Sequence, residues 1–217
     1  MARPPSSAGR PVVAQKEQAR TRLARSAVVE AAQALFLDRG YGTTTVEAIS
    51  EQADVPAATV YRLFAPKHGI LKALLDVSIV GDHDTVPMSD RPQIRTLAGD
   101  AEPTAQLEGF VEVVAQVNAR IAPLYRILVS AARTDPDAAA LLEGLTQQRQ
   151  QGQRVIARSL ARAGALRAKV RERDAADVIH AVLSPELYRL LVVDRGWAVE
   201  RYQRWLSELL VDQLLHA

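Results

Sequence analysis

The side chains best suited to specific chemistry lie close together between residues 57 and 67. Arg62 carries a planar guanidinium that can pair bidentately with a guanine edge or contact a phosphate, and Tyr61 offers a hydroxyl for a phosphate and a ring for a thymine methyl. Ala58 falls on the same side of a 3.6-residue repeat, with Ala57 and Thr59 at its margins, so the backbone there could approach bases closely. Val60, Leu63 and Phe64 fall on the other side, where they can pack. A two-turn amphipathic helix of this kind has the dimensions to enter a major groove. Nothing comparable points to catalysis. The four histidines, His68, His83, His180 and His216, are far apart with no HxxxH or HExxH spacing, and no P-loop or glycine-rich dinucleotide signature occurs. His180 reads as a packed or pocket-lining histidine. The chain has no cysteine, which removes disulfides and thiol chemistry. The expectation is a protein with no enzymatic activity, no metal site and no cofactor.

The elements that must position this helix are legible on both sides. Thr44-Thr45-Val46-Glu47 reads as a capping box, with the Thr44 hydroxyl on the Glu47 amide and the Glu47 carboxylate on the Thr44 amide. Val46, Ile49 and Ala53 then give a narrow apolar stripe that ends before Asp54-Val55-Pro56, and Pro56 suits the first turn of the next helix. Upstream, residues 22–39 place Val28, Ala32, Leu35 and Phe36 on one face, enough for three helices to close a small core. Asp38-Arg39-Gly40-Tyr41 is a stop signal, with Gly40 left-handed and Tyr41 folding back on Phe36. Downstream, Lys67 opens a fourth helix over 67–80, where a cation opposes the helix dipole. A DNA phosphate contact and a solvated surface lysine both account for it. Two short amphipathic helices and a turn also occur in ordinary helical cores, so the flanking segments carry much of the argument for a helix-turn-helix.

Taken together, Ala32 to Gly42 (AQALFLDRGYG), Thr43 to Ala53, and Thr59-Val60-Tyr61-Arg62-Leu63-Phe64 followed by Lys67 resemble the N-terminal signature of the TetR family of transcriptional regulators, in order and spacing, over about the first third of the chain. The resemblance implies DNA contacts at Thr44, Thr45, Ala57, Ala58, Thr59, Tyr61, Arg62 and Lys67, and Arg22 joins them from the basic segment described next. Asp54 stands where the family usually has Gly, and Pro56 where it has Ser or Thr; Asp tolerates the left-handed region better than most residues. His68 replaces a customary acid.

Charge is distributed unevenly behind a formal net of +2. Residues 1–78 carry 10 Lys/Arg against 7 Asp/Glu, and the remainder 17 against 18. Arg3, Arg10, Lys16, Arg20, Arg22 and Arg25 face a single acid, Glu17, in a segment that opens ARPPSSAGRP. Residues 1–21 therefore read as a flexible basic arm, either adding phosphate affinity or reaching a minor groove, or else an inert terminus. At 217 residues, 48% of them hydrophobic, a sizeable core is available. No apolar run approaches a membrane span or a signal peptide, so no membrane partner and a cytoplasmic location are expected.

Beyond about Ser78 the texture changes. Gly81-Asp82-His83-Asp84, Pro87, Pro92, Gly99 and Pro103 read as a hinge and linker. From Thr104 a helical stripe of Leu107, Phe110, Val111, Val114, Val117 and Ile121 precedes Pro123, taken as the start of a new helix, and Asp135-Pro136 opens a long helix to about residue 163. Its middle, 146–154, is polar throughout and reads as a solvated stretch or as the polar wall of a cavity. Two apolar helices follow, over 174–195 with a break at Ser184-Pro185-Glu186, and over 198–215. They could close the core; the resemblance instead implies that they pair across a twofold axis, for which Leu187, Leu191, Tyr202, Trp205, Leu206 and Leu209 are candidates. It further implies an effector pocket, with Phe110, Val114, Tyr125, Leu128 and Tyr188 as candidate walls for a mostly hydrophobic small molecule.

The expectation is an all-α protein: a three-helix helix-turn-helix DNA-binding domain at 22–66, a connecting helix at 67–80, and a helical effector-binding and dimerisation domain at 81–217. Its expected role is that of a homodimeric repressor on a palindromic double-stranded operator, released by an unknown small-molecule effector. The alternative is an all-helical ligand-binding or protein-interaction module without DNA binding.

Overall fold

The computed structural model describes residues 12–80, 96–97 and 102–216, so most of the expected linker and the first 11 residues lie outside the described residues. The described chain is all-α: α1 (Val12–Arg39), α2 (Val46–Ala53), α3 (Ala57–Phe64), α4 (Lys67–Val80), α5 (Pro103–Ala131), α6 (Pro136–Arg162), α7 (Glu172–Val182), α8 (Pro185–Tyr188) continuing into a π-helical stretch at Arg189–Asp194, and α9 (Val199–Leu214). Its contacts divide it into two compact units, Met1–Leu74 and Leu75–Ala217, with the boundary inside α4.

In the first unit, α1 supplies Val28, Ala32, Leu35 and Phe36, α2 supplies Val46 and Ile49, and α3 supplies Val60 and Phe64 to one buried core. The turns are as the residues demand. Gly40 has φ +82° and donates its amide to the Phe36 carbonyl, while the Tyr41 ring packs 5.4 Å from that of Phe36. Asp54 takes the left-handed region at φ 51°, and its amide donates back to Glu51.

Three expectations need correction here. Residues 12–21, read as flexible arm, belong to α1; Ala, Gln, Lys, Glu and Arg dominate VVAQKEQART, and these form helix well once past the Pro, Ser and Gly of the first eleven residues. The cap of α2 is Thr45, whose hydroxyl accepts the Ala48 amide at 3.1 Å. Thr44 lies one residue earlier and is buried, its hydroxyl donating to the Gly40 carbonyl at 2.8 Å. Finally, α5 runs unbroken through Pro123. Pro123 and Ala119, whose carbonyl loses its helical partner, both lie on the exposed side, where water replaces the missing bond.

The second unit packs α5 to α9 around Leu107, Phe110, Val111, Ile156, Ile179 and Leu206 and their neighbours. Asp135 caps α6 by accepting the amides of Asp137 and Ala138, with Pro136 at the first helical position. Ser184 caps α8 by accepting the Leu187 amide, so the expected break at 184–186 is present. The chain end is tied back by an antiparallel bridge of Leu166 with Leu215 and by the His216 amide on the Ala165 carbonyl.

Candidate nucleic-acid interface

On α3 the packed and solvent-facing sides separate as the spacing demands. Val60 and Phe64 are buried, whereas Ala58, Tyr61 and Arg62 are exposed and Ala57 and Thr59 lie at the margin. Pro56 precedes the helix with no side-chain cap, although its carbonyl accepts the amides of Thr59 and Val60 at 2.8 and 3.1 Å. A helix N-terminus without a side-chain cap that carries two alanines offers amide hydrogens to a phosphate without obstruction. Thr45, exposed at the start of α2, and Arg22, exposed on α1, share the solvent-facing set.

Tyr61 is not a free hydroxyl. It donates to the Glu47 carboxylate on α2 at 3.2 Å, and partial desolvation together with that carboxylate pushes its pKa up, so it remains a donor across the physiological range. The sequence marks Glu47 only as a capping acid; its link to Tyr61, 14 residues away, leaves no local signal.

Two of the expected contacts are differently employed. Thr44 is 1% exposed and committed inward, so its side chain does not reach DNA from this position. Lys67 turns into the unit: its ammonium donates to the Tyr41 carbonyl at 2.8 Å and the Thr44 carbonyl at 3.0 Å, and stands 4.2 Å from the centroid of the Tyr41 ring. The residue fastens the start of α4 to the loop before α2, which accounts for a cation where the helix dipole disfavours one. Arg25 works in the same way, donating to the Leu63 carbonyl at 2.8 Å with its guanidinium over the Phe64 ring. The candidate residues left facing solvent are Thr45, Ala57, Ala58, Thr59, Tyr61 and Arg62, together with Arg22 on α1.

Such an arrangement, a three-helix core presenting a short basic and small-residue helix, matches a known domain. Residues 28–74 fit the family described as "Bacterial regulatory proteins, tetR family". Residues 28–74 form a TetR-family domain. A 48-residue stretch is 42% identical to the uncharacterized HTH-type transcriptional regulator YvkB of Bacillus subtilis (strain 168), covering 22% of this chain and 25% of that protein. The chain thus matches about a quarter of that curated relative's length. Beyond the TetR domain the likeness is one of fold. The SmeT–triclosan complex superposes with a TM-score of 0.71 at 17% identity, covering 89% of this chain and 92% of that one. The fatty acid degradation regulator FadR from Bacillus halodurans gives 0.70 at 18% identity, covering 89% and 97%. NalD, the secondary repressor of the MexAB-OprM multidrug efflux pump in Pseudomonas aeruginosa, gives 0.68 at 19%, covering 90% and 98%.

In the second unit the candidate dimer residues split. Tyr202 and Leu206 are fully buried in the unit's own core and have no surface to give a second copy, because the broad stripe on α9 packs inward along its centre. Leu187, Leu191, Trp205 and Leu209 are half-buried against the core, while Leu190 and Val193 are 44% and 60% exposed. Of the candidate pocket walls, Phe110, Leu128, Tyr125 and Tyr188 are buried and Val114 half-buried. None of the five lines either of two open grooves, of about 520 Å3 beside Leu142 and Thr146 and about 660 Å3 beside Arg154 and Arg158. Among the described residues no group of His, Asp or Glu is placed to hold a metal ion, and no helix is long and apolar enough to cross a membrane.

Proposed function

We propose that this protein is a ligand-responsive transcriptional regulator that binds a palindromic operator as a homodimer and represses until a small molecule binds the second unit. The observation that carries the reading is the TetR-family domain itself, with Tyr61 and Arg62 held outward on α3 by a core that buries the opposite face. One eight-residue helix reads too few bases for useful specificity, and two of them related by a twofold axis read two half-sites. The exposed side chains of Leu190 and Val193, with the half-buried Leu187, Leu191, Trp205 and Leu209, support dimerisation through the second unit. Fold neighbours described as efflux-pump repressors support repression, and one described as a complex with triclosan supports a small-molecule effector. A regulator of this kind works in the cytoplasm and performs no catalysis. An effector relieves repression only if it prefers the state that cannot hold DNA.

The test is selection of bound sequences from a random duplex pool at near-physiological salt, with Arg62→Ala in parallel. Enrichment of a palindrome by the wild type alone is the expected result. Failure of refolded, ligand-free protein to enrich any sequence would sink the reading and leave an all-helical binding module.

A further inference from the structure

The interior of the second unit is not uniformly apolar. Arg149 and Gln153 on α6, Tyr125 on α5, His180 on α7 and Tyr202 on α9 come together beneath the helix break that carries Glu186. The Arg149 guanidinium is largely withdrawn from solvent, with one donor on the His180 carbonyl at 3.4 Å. It also donates to the Tyr125 hydroxyl, which in turn donates to the Glu186 carboxylate on α8, but among the described residues it forms no ion pair within 4 Å, so Glu186 acts on it only from beyond that distance. Gln153 is buried, and its carbonyl faces His180 Nδ1 at 2.6 Å, which assigns the proton to Nδ1 and leaves Nε2 as the ring's other polar atom. The Tyr202 hydroxyl is fully buried with no hydrogen-bond partner, its ring packed edge-on at 5.2 Å against Tyr188. Asn118 stands near that hydroxyl; one of its amide hydrogens goes to the Leu183 carbonyl at 3.2 Å, and the other points towards Tyr202 without reaching full hydrogen-bond geometry.

A half-buried guanidinium without an ion pair and a buried hydroxyl without a well-placed partner are both costly, and both are relieved by the same thing, an anion that accepts from them. We infer that this cluster is the head-group site for an amphipathic organic anion, a carboxylate or an acidic phenol, held by Arg149 with the hydroxyl of Tyr202. The apolar residues that adjoin the cluster are Tyr188, edge-on to Tyr202, and Leu183, whose carbonyl holds Asn118. Burial lowers the Arg149 pKa, as expected for a cation withdrawn from water, and raises that of Tyr202, which keeps its hydroxyl protonated as a donor. The inference rests on reading the second unit as the effector domain and specifies the chemical class of the effector. It revises the expected mostly hydrophobic ligand by giving it a charged end, and makes the inner side of the polar stretch at 146–154 a wall of the site.

The test uses three probes that share one body: 2-naphthoate, its neutral isostere 2-naphthamide, and the cation 2-naphthylmethylammonium. Binding to the full chain without DNA is read by calorimetry and by thermal shift. The site predicts naphthoate binding at least about tenfold tighter than the amide, and no binding of the cation. Arg149→Met should abolish the preference for the anion. Tyr202→Phe should weaken naphthoate by about threefold to tenfold while leaving the melting temperature of the free protein unchanged or raised, which a merely structural hydroxyl would not do. Equal binding of amide and anion, undiminished naphthoate binding in both variants, or no naphthoate binding at millimolar concentration overturns the inference. Naphthoate binding that is intact in protein unable to select any duplex would instead remove the regulator reading and leave the anion site standing.

Discussion

Arg62 is the residue whose loss DNA binding should register most. It is exposed, has no ion pair among the described residues, and sits beside the Tyr61–Glu47 link, so Arg62→Ala should cost about 1–3 kcal/mol of specific binding and relax selectivity at one operator position, measured by competition with single-base variants. The outward placement of Arg62 follows from helical periodicity over eight residues. The inward placement of Lys67 and Thr44 does not. The carbonyls that hold Lys67 belong to Tyr41 and Thr44, 26 and 23 residues earlier, and no short window of sequence contains both ends of such a bond. His180 gives a prediction of a different kind. Burial and the nearby Arg149 charge hold its pKa below the ordinary 6.5, so below that pH the unfolded chain binds the proton more readily than the folded one. Stability should therefore fall as pH drops below about 6.5, and a His180→Gln chain should lose much of that dependence in thermal melts between about pH 5 and 8.

At the scale of elements, the corner between α3 and α4 is the tightest point of the TetR domain. Ala65 has φ 58° and ψ −137°, a region that only glycine visits without strain, and a Cβ on Gly69 would stand 1.9 Å from the Phe64 carbonyl oxygen. Ala65→Gly should raise stability by about 1 kcal/mol, and Gly69→Ala should lower it by about 1–3 kcal/mol, both measurable by urea unfolding. Thr45→Ala should cost about 1 kcal/mol, and Thr45→Ser much less, if Thr45 rather than Thr44 caps α2. Most boundaries here are legible because capping chemistry is local: Asp135-Pro136, Ser184-Pro185 and Gly40 each act within four residues. The early start of α1 and the passage of α5 through Pro123 are not, since one is decided by helix propensity summed over ten residues and the other by which side of the helix faces water. The interior cluster is hidden for the same kind of reason. Arg149 and Gln153 read as a solvated stretch or as a cavity wall, and His180 as a packed or pocket-lining histidine, but nothing local joins them until α6 and α7 are packed together.

For the whole molecule, the decisive property is pairing. If the exposed Leu190 and Val193 join two copies, Leu190→Lys combined with Val193→Asp should give a monomer by sedimentation while Tyr202 and Leu206 keep each unit folded, and half-site binding should survive at far lower affinity than the palindrome. The inward turn of Lys67 then reappears in a quantity measured far from it. Each phosphate neutralised by a protein cation releases about 0.9 of a condensed counterion, which sets the slope of log affinity against log salt concentration. A lysine already satisfied by two carbonyls and an aromatic ring releases none. In a dimer the omission occurs twice, so the slope should be shallower by about 1.8 than a tally of cations near the DNA face implies, and Lys67→Met should leave that slope unchanged while lowering the melting temperature.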